Sequence, residues 1–422
     1  MIRIVAAAIP LCLLLQAAPT PATPKAMNLS GFPKEAVPAS YFGLNDAGRA
    51  YLRPWPPIET ANIRVFDAQW VYVEPQRGQW DFEHVDRDVE EANKHGHDLD
   101  LILTSTPTWA SARPTEGGGR TPGVRAEAAD MKDWENYVST VAKRYKGRVH
   151  TYELWNEPNL QSAFSGDIPH LVALSKSAYR VIKEIDPSAV VISPSLASVN
   201  AFAYLRPFLE AGGAETFDVL GFHFYDNLGN PIIHPENMIG TADHLRKVLI
   251  SVGKGSAPIW NTEAGYYIAS APQAHYHNTH FPQGIQVLGQ GASVEAVGRS
   301  YILGWAAGIQ RFYWYAWGEP AYAFVDDNGS TEKDATQAYK TVRRWLLGKR
   351  YVDVSRSASG VWIVHLEDAH QKPAWIIWNE AGAENFDIPK EWGVHQAEDL
   401  LSQDRPLPST AFPVTHSPTL LF

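Results

Sequence analysis

The sequence all but lacks cysteine: Cys12 is the only one in 422 residues. That excludes a disulfide framework and a cluster of thiolates around a metal. Long apolar runs are missing too. Residues 4–15 form the longest, short of the ~20 apolar residues that a membrane span needs. Net basic charge is absent: the formal charge is −10 at pH 7, which disfavours nucleic acid and anionic membranes as partners. No glycine-rich phosphate loop follows any strand-like segment, which counts against an open dinucleotide-binding sheet.

The chain begins Met1-Ile2-Arg3, runs apolar to Leu15 and then turns small and proline-rich up to Ala26. A short basic start, a brief hydrophobic stretch and small residues after it read as a secretory signal peptide over residues 1–26. Cys12 would leave with it, and Leu11 before it speaks against a lipid anchor. The expectation is a soluble secreted or periplasmic protein without stable membrane insertion. Its oligomeric state is not legible.

Aromatic residues are plentiful, with 15 Trp and 18 Tyr. Most such rings fill a large core. Several, however, stand beside polar residues, as at Trp109, Trp155, Trp260 and Trp317, and flat apolar rings flanked by hydrogen-bonding groups suit the faces of sugars.

Short runs rich in Val, Ile, Leu and aromatics recur at 40–45, 62–70, 98–104, 149–156, 189–194, 219–226, 257–263 and 311–317. Such runs suit strands buried on both faces. Amphipathic helices alternate with them: Trp134, Tyr137, Val138, Val141 and Tyr145 share one face, as do Leu171, Leu174, Ala178, Val181 and Ile185, and again Val294, Val297, Tyr301, Ile302 and Trp305. Pro187 ends the second of these helices. Eight strands alternating with helices imply an α/β fold, a (β/α)₈ TIM barrel over residues 27–348. Beyond the helix around 338–347 the helical period vanishes. Residues 349–422 read as a small β-rich, sandwich-like accessory domain, with strands at 361–366, 374–378 and 419–422 and another near Val394. Two long loops, 112–130 and 266–291, follow the third and seventh strands, on the face where barrel enzymes keep their active sites.

Two segments place a glutamate at a strand's C-terminal mouth: Tyr152-Glu153-Leu154-Trp155-Asn156-Glu157-Pro158-Asn159 on the fourth strand and Ile259-Trp260-Asn261-Thr262-Glu263-Ala264-Gly265-Tyr266 on the seventh. A single strand-end glutamate is usually an ion-pair partner. Two of them across a barrel match what cleavage of a glycosidic bond with retention requires, one ionised carboxyl group and one protonated, ~5–5.5 Å apart. A negative Glu263 favours a proton on Glu157, and glycosylation of Glu263 would remove that charge and free Glu157 to activate water.

These motifs resemble the clan A glycoside hydrolases, whose catalytic glutamates lie on strands four and seven, and are most similar to glycoside hydrolase family 39, the family of β-xylosidases, α-iduronidases and bacterial exopolysaccharide hydrolases. The likeness extends from Phe42-Gly43 to Trp345-Leu346-Leu347-Gly348 and takes in Glu74-Pro75 and Gly78-Gln79-Trp80. It implies Glu157 as acid/base and Glu263 as nucleophile, acting on an oligo- or polysaccharide without cofactor or metal. It further implies that Asn156 binds the sugar 2-hydroxyl, Arg64 holds Glu263 ionised, Tyr225 donates to Glu263 and His223 meets the substrate or the acid/base. Trp317 and Trp109 would contact the sugar. The structural alternatives are an Arg64–Asp67 ion pair, a core role for Tyr225, and Trp314 or Tyr315 in place of Trp317. His275, His277 and His280 invite a metal reading, but the cluster has no carboxylate, and a solvated or substrate-lining loop suits it better. Three functional alternatives stay open: another clan A glycosidase of cellulase or mannanase type, a transglycosylase using the same glutamates, and a non-catalytic sugar-binding barrel.

Overall fold

The computed structural model describes residues 25–29, 31–46, 55–225, 234–270, 286–319, 321–326, 331–407 and 411–422. The segment up to residue 24 and the histidines at 275, 277 and 280 lie outside these. Eight parallel strands line up as β1 (Phe42–Asp46), β2 (Asn62–Val65), β3 (Asp98–Leu103), β4 (Thr151–Leu154), β5 (Val190–Ile192), β6 (Leu220–His223), β7 (Ile259–Ala264) and β8 (Ile309–Tyr315). Their spatial order is β5-β4-β3-β2-β1-β8-β7-β6. Parallel bridges Ile192–Val219 and Leu196–Phe222 join β5 to β6 and close the ring. Each of the eight apolar runs therefore supplies one barrel strand. Run 62–70 is cut short: the chain leaves the sheet after Val65, and Trp70–Val73 form one helical turn. The N–H groups of Trp70 and Val71 donate to the carbonyls of Thr104 and Ser105 at the mouth of β3.

Helices pack outside the ring: α1 (Glu83–His95), α2 (Met131–Tyr145), α3 (Ile168–Ile185), α4 (Ala201–Glu210), α5 (Asn237–Ser251), α6 (Gln290–Ala306) and α7 (Asp334–Leu346). Asp130 caps α2 by accepting from the Lys132 N–H, and Asp167 caps α3 by accepting from the His170 N–H. Each satisfies a donor that the first helical turn leaves over. The apolar stripes read from the sequence, Trp134 to Tyr145 on α2 and Leu171 to Ile185 on α3, face the core, with Ile185 only partly buried against it. Among the described residues no helix is long and apolar enough to cross a membrane.

The C-terminal region is an antiparallel sheet of β9 (Arg350–Arg356), β10 (Val361–Glu367), β11 (Pro373–Asn379), β13 (Gln396–Asp399), β14 (Asp404–Pro406) and β16 (Thr419–Leu421). A hairpin-like pair, β12 (Glu384–Phe386) and β15 (Phe412–Val414), stands beside it. Strand alternation divides its apolar residues. Trp362, Val364, Leu366, Ile376 and Trp378 merge with the barrel's core. Val361, Ile363, Trp375 and Ile377 form a separate cluster with Phe412 and Val414. Lys25–Ala26 pair antiparallel with Ser355 and Arg356 of β9. The small domain thus draws a strand from residues read as the end of the signal peptide. Cleavage after residue 26 would remove that strand, and cleavage before Lys25 would keep it.

Candidate active site

Strand alternation sends Asn45, Arg64, Glu153 and His223 into the barrel from β1, β2, β4 and β6. Arg64 is fully buried, and all five of its N–H donors are used. Nε and Nη2 make a bidentate pair with Glu153 at 2.8 and 2.7 Å. Nη1 donates to Glu263 Oε2 at 2.7 Å and to Asn45 Oδ1 at 3.0 Å. Nη2 also reaches Asn156 Oδ1 at 2.8 Å. Burial works against the guanidinium charge, but the carboxylates of Glu153 and Glu263 outweigh it and hold Arg64 more firmly protonated than usual. The pairing with Asp67 does not occur. Asp67 bonds to Asp88 instead, and burial pushes its carboxyl up.

Glu263 receives a different donor on each oxygen: Arg64 on Oε2 and the Tyr225 hydroxyl on Oε1, at 2.8 Å. Burial, and then the charge of Glu263, push the Tyr225 phenol well up, so it stays a donor. Its core-tyrosine alternative is thereby set aside. A bulge aims the carboxylate. Three residues of β7, Thr262 to Ala264, span what two residues of β8 span, Tyr313 and Trp314. The same register shift occurs against β6, where Phe222 and His223 pair with Asn261 and Glu263. Bulges re-aim side chains beside active sites. Gly265 follows at once, and a Cβ there would lie 1.8 Å from the Tyr315 carbonyl oxygen, so β7 and β8 meet too closely for any side chain.

The mouth of β4 is strained. Trp155 and Glu157 both have left-handed backbones, with φ of 66° and 50°, a conformation costing ~1–3 kcal/mol at a non-glycine residue. Neighbouring strands hold it: Trp155 N–H donates to Leu103 O, Glu157 N–H to Ser195 O, and Ser195 N–H back to Trp155 O. This double reversal leaves Asn156 and Glu157 pointing to the barrel axis. Because Arg64 can only donate, Asn156 presents Oδ1 to it and turns its NH₂ group elsewhere. That residue lines a cavity of about 1120 Å³.

The Glu157 carboxyl group has one protein partner among the described residues, His223 Nδ1 at 2.9 Å. The side chain of Glu157 is 22% exposed and that of Glu263 11%. The closest ligand atoms of Glu157, His223 and Glu263 all lie within 4.8 Å of one another. Three such groups have the chemistry of a metal site, yet both Glu263 oxygens already accept from donors, one of them a guanidinium whose charge repels a cation. Those donors already occupy the Glu263 carboxylate, and Glu157 and His223 bond each other.

Trp317 is buried and Tyr315 lines the cavity in its place. Trp109 stands apart: its Nε1 donates to the Glu74 carbonyl, its ring meets Trp70 edge-on and the Arg77 guanidinium covers it at 4.4 Å. Two residues that hold Arg64 in place, Glu153 and Asn45, and a buried acid beside it, Asp100, were not singled out from the sequence. Glu153 was quoted only within its motif, although a glutamate on an inward strand position calls for a buried cation. Asn45 lies in the first run and has no distinguishing neighbour. Asp100, beside Arg64 in register, is fully buried and its carboxyl is pushed well up by burial and then by the charge of Glu153.

A family model described as glycosyl hydrolase family 10 matches residues 66–184, a stretch that includes Glu157 and ends before Glu263. The whole fold is similar to a family 39 glycoside hydrolase from the gut symbiont Bacteroides cellulosilyticus WH2, with a TM-score of 0.68, 16% identity and coverage of 92% of this chain and 82% of that one. It is also similar to a family 39 β-xylosidase from Caulobacter crescentus (TM-score 0.59, 15% identity, 93% and 98% covered). The catalytic domain of a family 30 xylanase C from Talaromyces cellulolyticus has a TM-score of 0.57 at 13% identity, with 92% and 98% covered. The resemblance to clan A glycoside hydrolases read from the two glutamate motifs agrees with these likenesses, and the structures speak for the barrel with its appended β domain.

Proposed function

We propose that the chain is a retaining glycoside hydrolase that cleaves O-glycosidic bonds in glycans by double displacement, with Glu263 as nucleophile and Glu157 as acid/base. One observation carries this reading: two glutamates whose carboxyl oxygens approach within 4.8 Å, held in opposite ways. A retaining pair stands ~5–5.5 Å apart, whereas an inverting pair leaves ~6.5–9.5 Å for water. Glu263 takes Arg64 and Tyr225 on separate oxygens, which suits a carboxylate held in place for attack. Glu157, with only His223 on it, is free to carry and release a proton.

In the first step a Glu263 oxygen attacks the anomeric carbon, the glycosidic bond breaks, and Glu157 gives its proton to the departing oxygen. In the second, Glu157 takes a proton from water, whose oxygen attacks the same carbon and expels the Glu263 carboxylate. The NH₂ group of Asn156 is placed to donate to the 2-hydroxyl of the transferred sugar, a contact that strengthens as positive charge builds on the ring. We further propose that the start of the chain directs export, which N-terminal sequencing of the mature protein would test.

The mechanism is checked with aryl glycosides. Glu263→Gln is expected to lower kcat by on the order of 10⁴-fold or more. Glu157→Gln is expected to spare a dinitrophenyl leaving group, which needs no proton, in the first step, and to regain turnover when azide replaces water in the second. Proton NMR of the first-formed product should show the substrate's anomeric configuration. An inverted product, or full activity in Glu263→Gln, would overturn the assignment.

A further inference from the structure

The cavity beside Asn156 is larger than one sugar requires. At about 1120 Å³ it exceeds the ~300–1,000 Å³ that encloses a drug-sized ligand, and a single pyranose is smaller than such a ligand. Its place relative to the two glutamates says which part of a substrate it takes. Asn156 and Tyr315 line it, and neither Glu157 nor Glu263 does. The acid/base faces the departing sugar, whereas Asn156 faces the sugar being transferred. The cavity therefore continues away from the scissile bond on the glycone side.

Much of its remaining wall comes from the turn after β2 and the loop after β3, which contribute Tyr72 and Arg120, and the start of α1 and the loops after β4 and β8 complete it. Tyr72 is one of few large hydrophobic side chains left exposed among the described residues, at 41%. Arg120 Nη1 donates to its hydroxyl at 2.6 Å, which fixes the ring, and the other guanidinium donors have no partner among the described residues. A flat ring beside unused N–H donors offers a sugar a stacking face and hydrogen bonds at once.

The wall is preformed. Arg113 makes a bidentate pair with Glu127 at 2.8 Å on both bonds. Glu116 accepts from Arg113, Arg125 and Ser165, and the Thr106 hydroxyl bonds Ala126 O. Six side chains thus brace loop 112–130 before any ligand arrives, which lowers the ordering cost of binding.

We infer that Tyr72 and Arg120 form a distal glycone-side subsite, so that this protein acts on chains with at least one further sugar beyond the one transferred rather than on single terminal sugars. The inference rests on the proposed hydrolase reading and on Asn156 marking the glycone. It is tested with 4-nitrophenyl β-xylo- and β-gluco-oligosaccharides of one to three sugars. In the wild-type protein kcat/KM should rise at least 10-fold from the one-sugar to the three-sugar glycoside of the accepted series. Tyr72→Ala and Arg120→Ala should each cut that ratio at least 5-fold, whereas a merely structural defect would lower both rates together and leave the ratio alone. A flat wild-type series, or a ratio that survives both substitutions, overturns the subsite. Should no glycoside be hydrolysed, the hydrolase reading fails. Calorimetric titration of Glu263→Gln with xylotriose and cellotriose then still decides: tighter binding of either than of its monosaccharide, lost in Tyr72→Ala, supports the subsite, and no such difference overturns it.

Discussion

At the scale of single residues, Arg64 bears the most. Five donors on one planar group join two acids and two amides from β1, β4 and β7 and the residues after them, a geometry that lysine cannot reproduce. Replacing it leaves Glu153 charged and unpaired in the core. Arg64→Met should therefore cost ~3–5 kcal/mol of stability as well as activity. Arg64→Met combined with Glu153→Met should regain most of the stability and none of the activity, since Glu263 still lacks its donor. Urea unfolding beside kcat/KM measures both, and a double variant as unstable as the single would show that the Glu153 charge is not what costs. Asp100 gives a pH signature. Its folded carboxyl is pushed well above the usual range by burial and by Glu153. Between its unfolded value, ~3.9, and its folded one, the native state holds a proton that the unfolded state has lost. Stability must then fall as pH rises through that window. Asp100→Asn removes the titration, so its stability relative to wild type should climb from about pH 4 upward. A difference that stays flat with pH would contradict this.

At the scale of elements, the pattern of the sequence reports what is periodic and misses what is irregular. The eight apolar runs became the eight strands because burial on both faces demands continuous apolar residues. Glu157 just beyond β4 and Glu263 on β7 could be picked out as a pair because the C-terminal ends of barrel strands are where function collects. The devices that aim those side chains leave no such trace. The left-handed residues Trp155 and Glu157 carry bulky or charged side chains where glycine is usual. The bulge in β7 shows only against its neighbours' registers. Strand alternation had left open which ring of β8 faces the cavity, and the structure gives that place to Tyr315. The short strands β12, β14 and β15 were missed for want of length, β13 was anticipated only as a strand near Val394, and β9 was not singled out. Gly265 tests the irregular part directly. A methyl group placed 1.8 Å from the Tyr315 carbonyl oxygen meets backbone, which cannot rotate away. Gly265→Ala should cost ~1–3 kcal/mol and lower kcat further than that loss explains, because Glu263 sits two residues back. Unchanged kcat in a folded Gly265→Ala protein would mean that the approach of β7 to β8 does not set the position of Glu263.

At the scale of the whole molecule, the β-rich domain and the barrel share one core. Trp362 and Trp378 stack with ring centroids 5.5 Å apart and belong to the barrel's apolar cluster. Leu400 lies against Gly298 in α6, where a Cβ would come within 2.4 Å of its Cδ1. Polar bonds cross the same boundary. The indole of Trp378 and the guanidinium of Arg299 both donate to Glu236 Oε1 at 3.1 Å, so one carboxylate ties α6 and the residue before α5 to β11. Trp345 Nε1 and Arg344 of α7 both bond Glu398 of β13, and Tyr351 donates to Ile302 O. Two regions joined by a common apolar core have no separate unfolding equilibria. Calorimetry of the full chain should show one transition, and Trp378→Phe, which keeps an aromatic ring but loses the indole's second ring and its buried donor, should lower that transition as a unit by more than the ~0.5–1.5 kcal/mol of one hydrogen bond. A chain ending at residue 348 should fail to give a soluble, active barrel, since the outer faces of α6 and α7 would lose their cover. Two resolved transitions, or an active truncated barrel, would make the β domain an attachment instead of part of the support on which Glu157 and Glu263 are held.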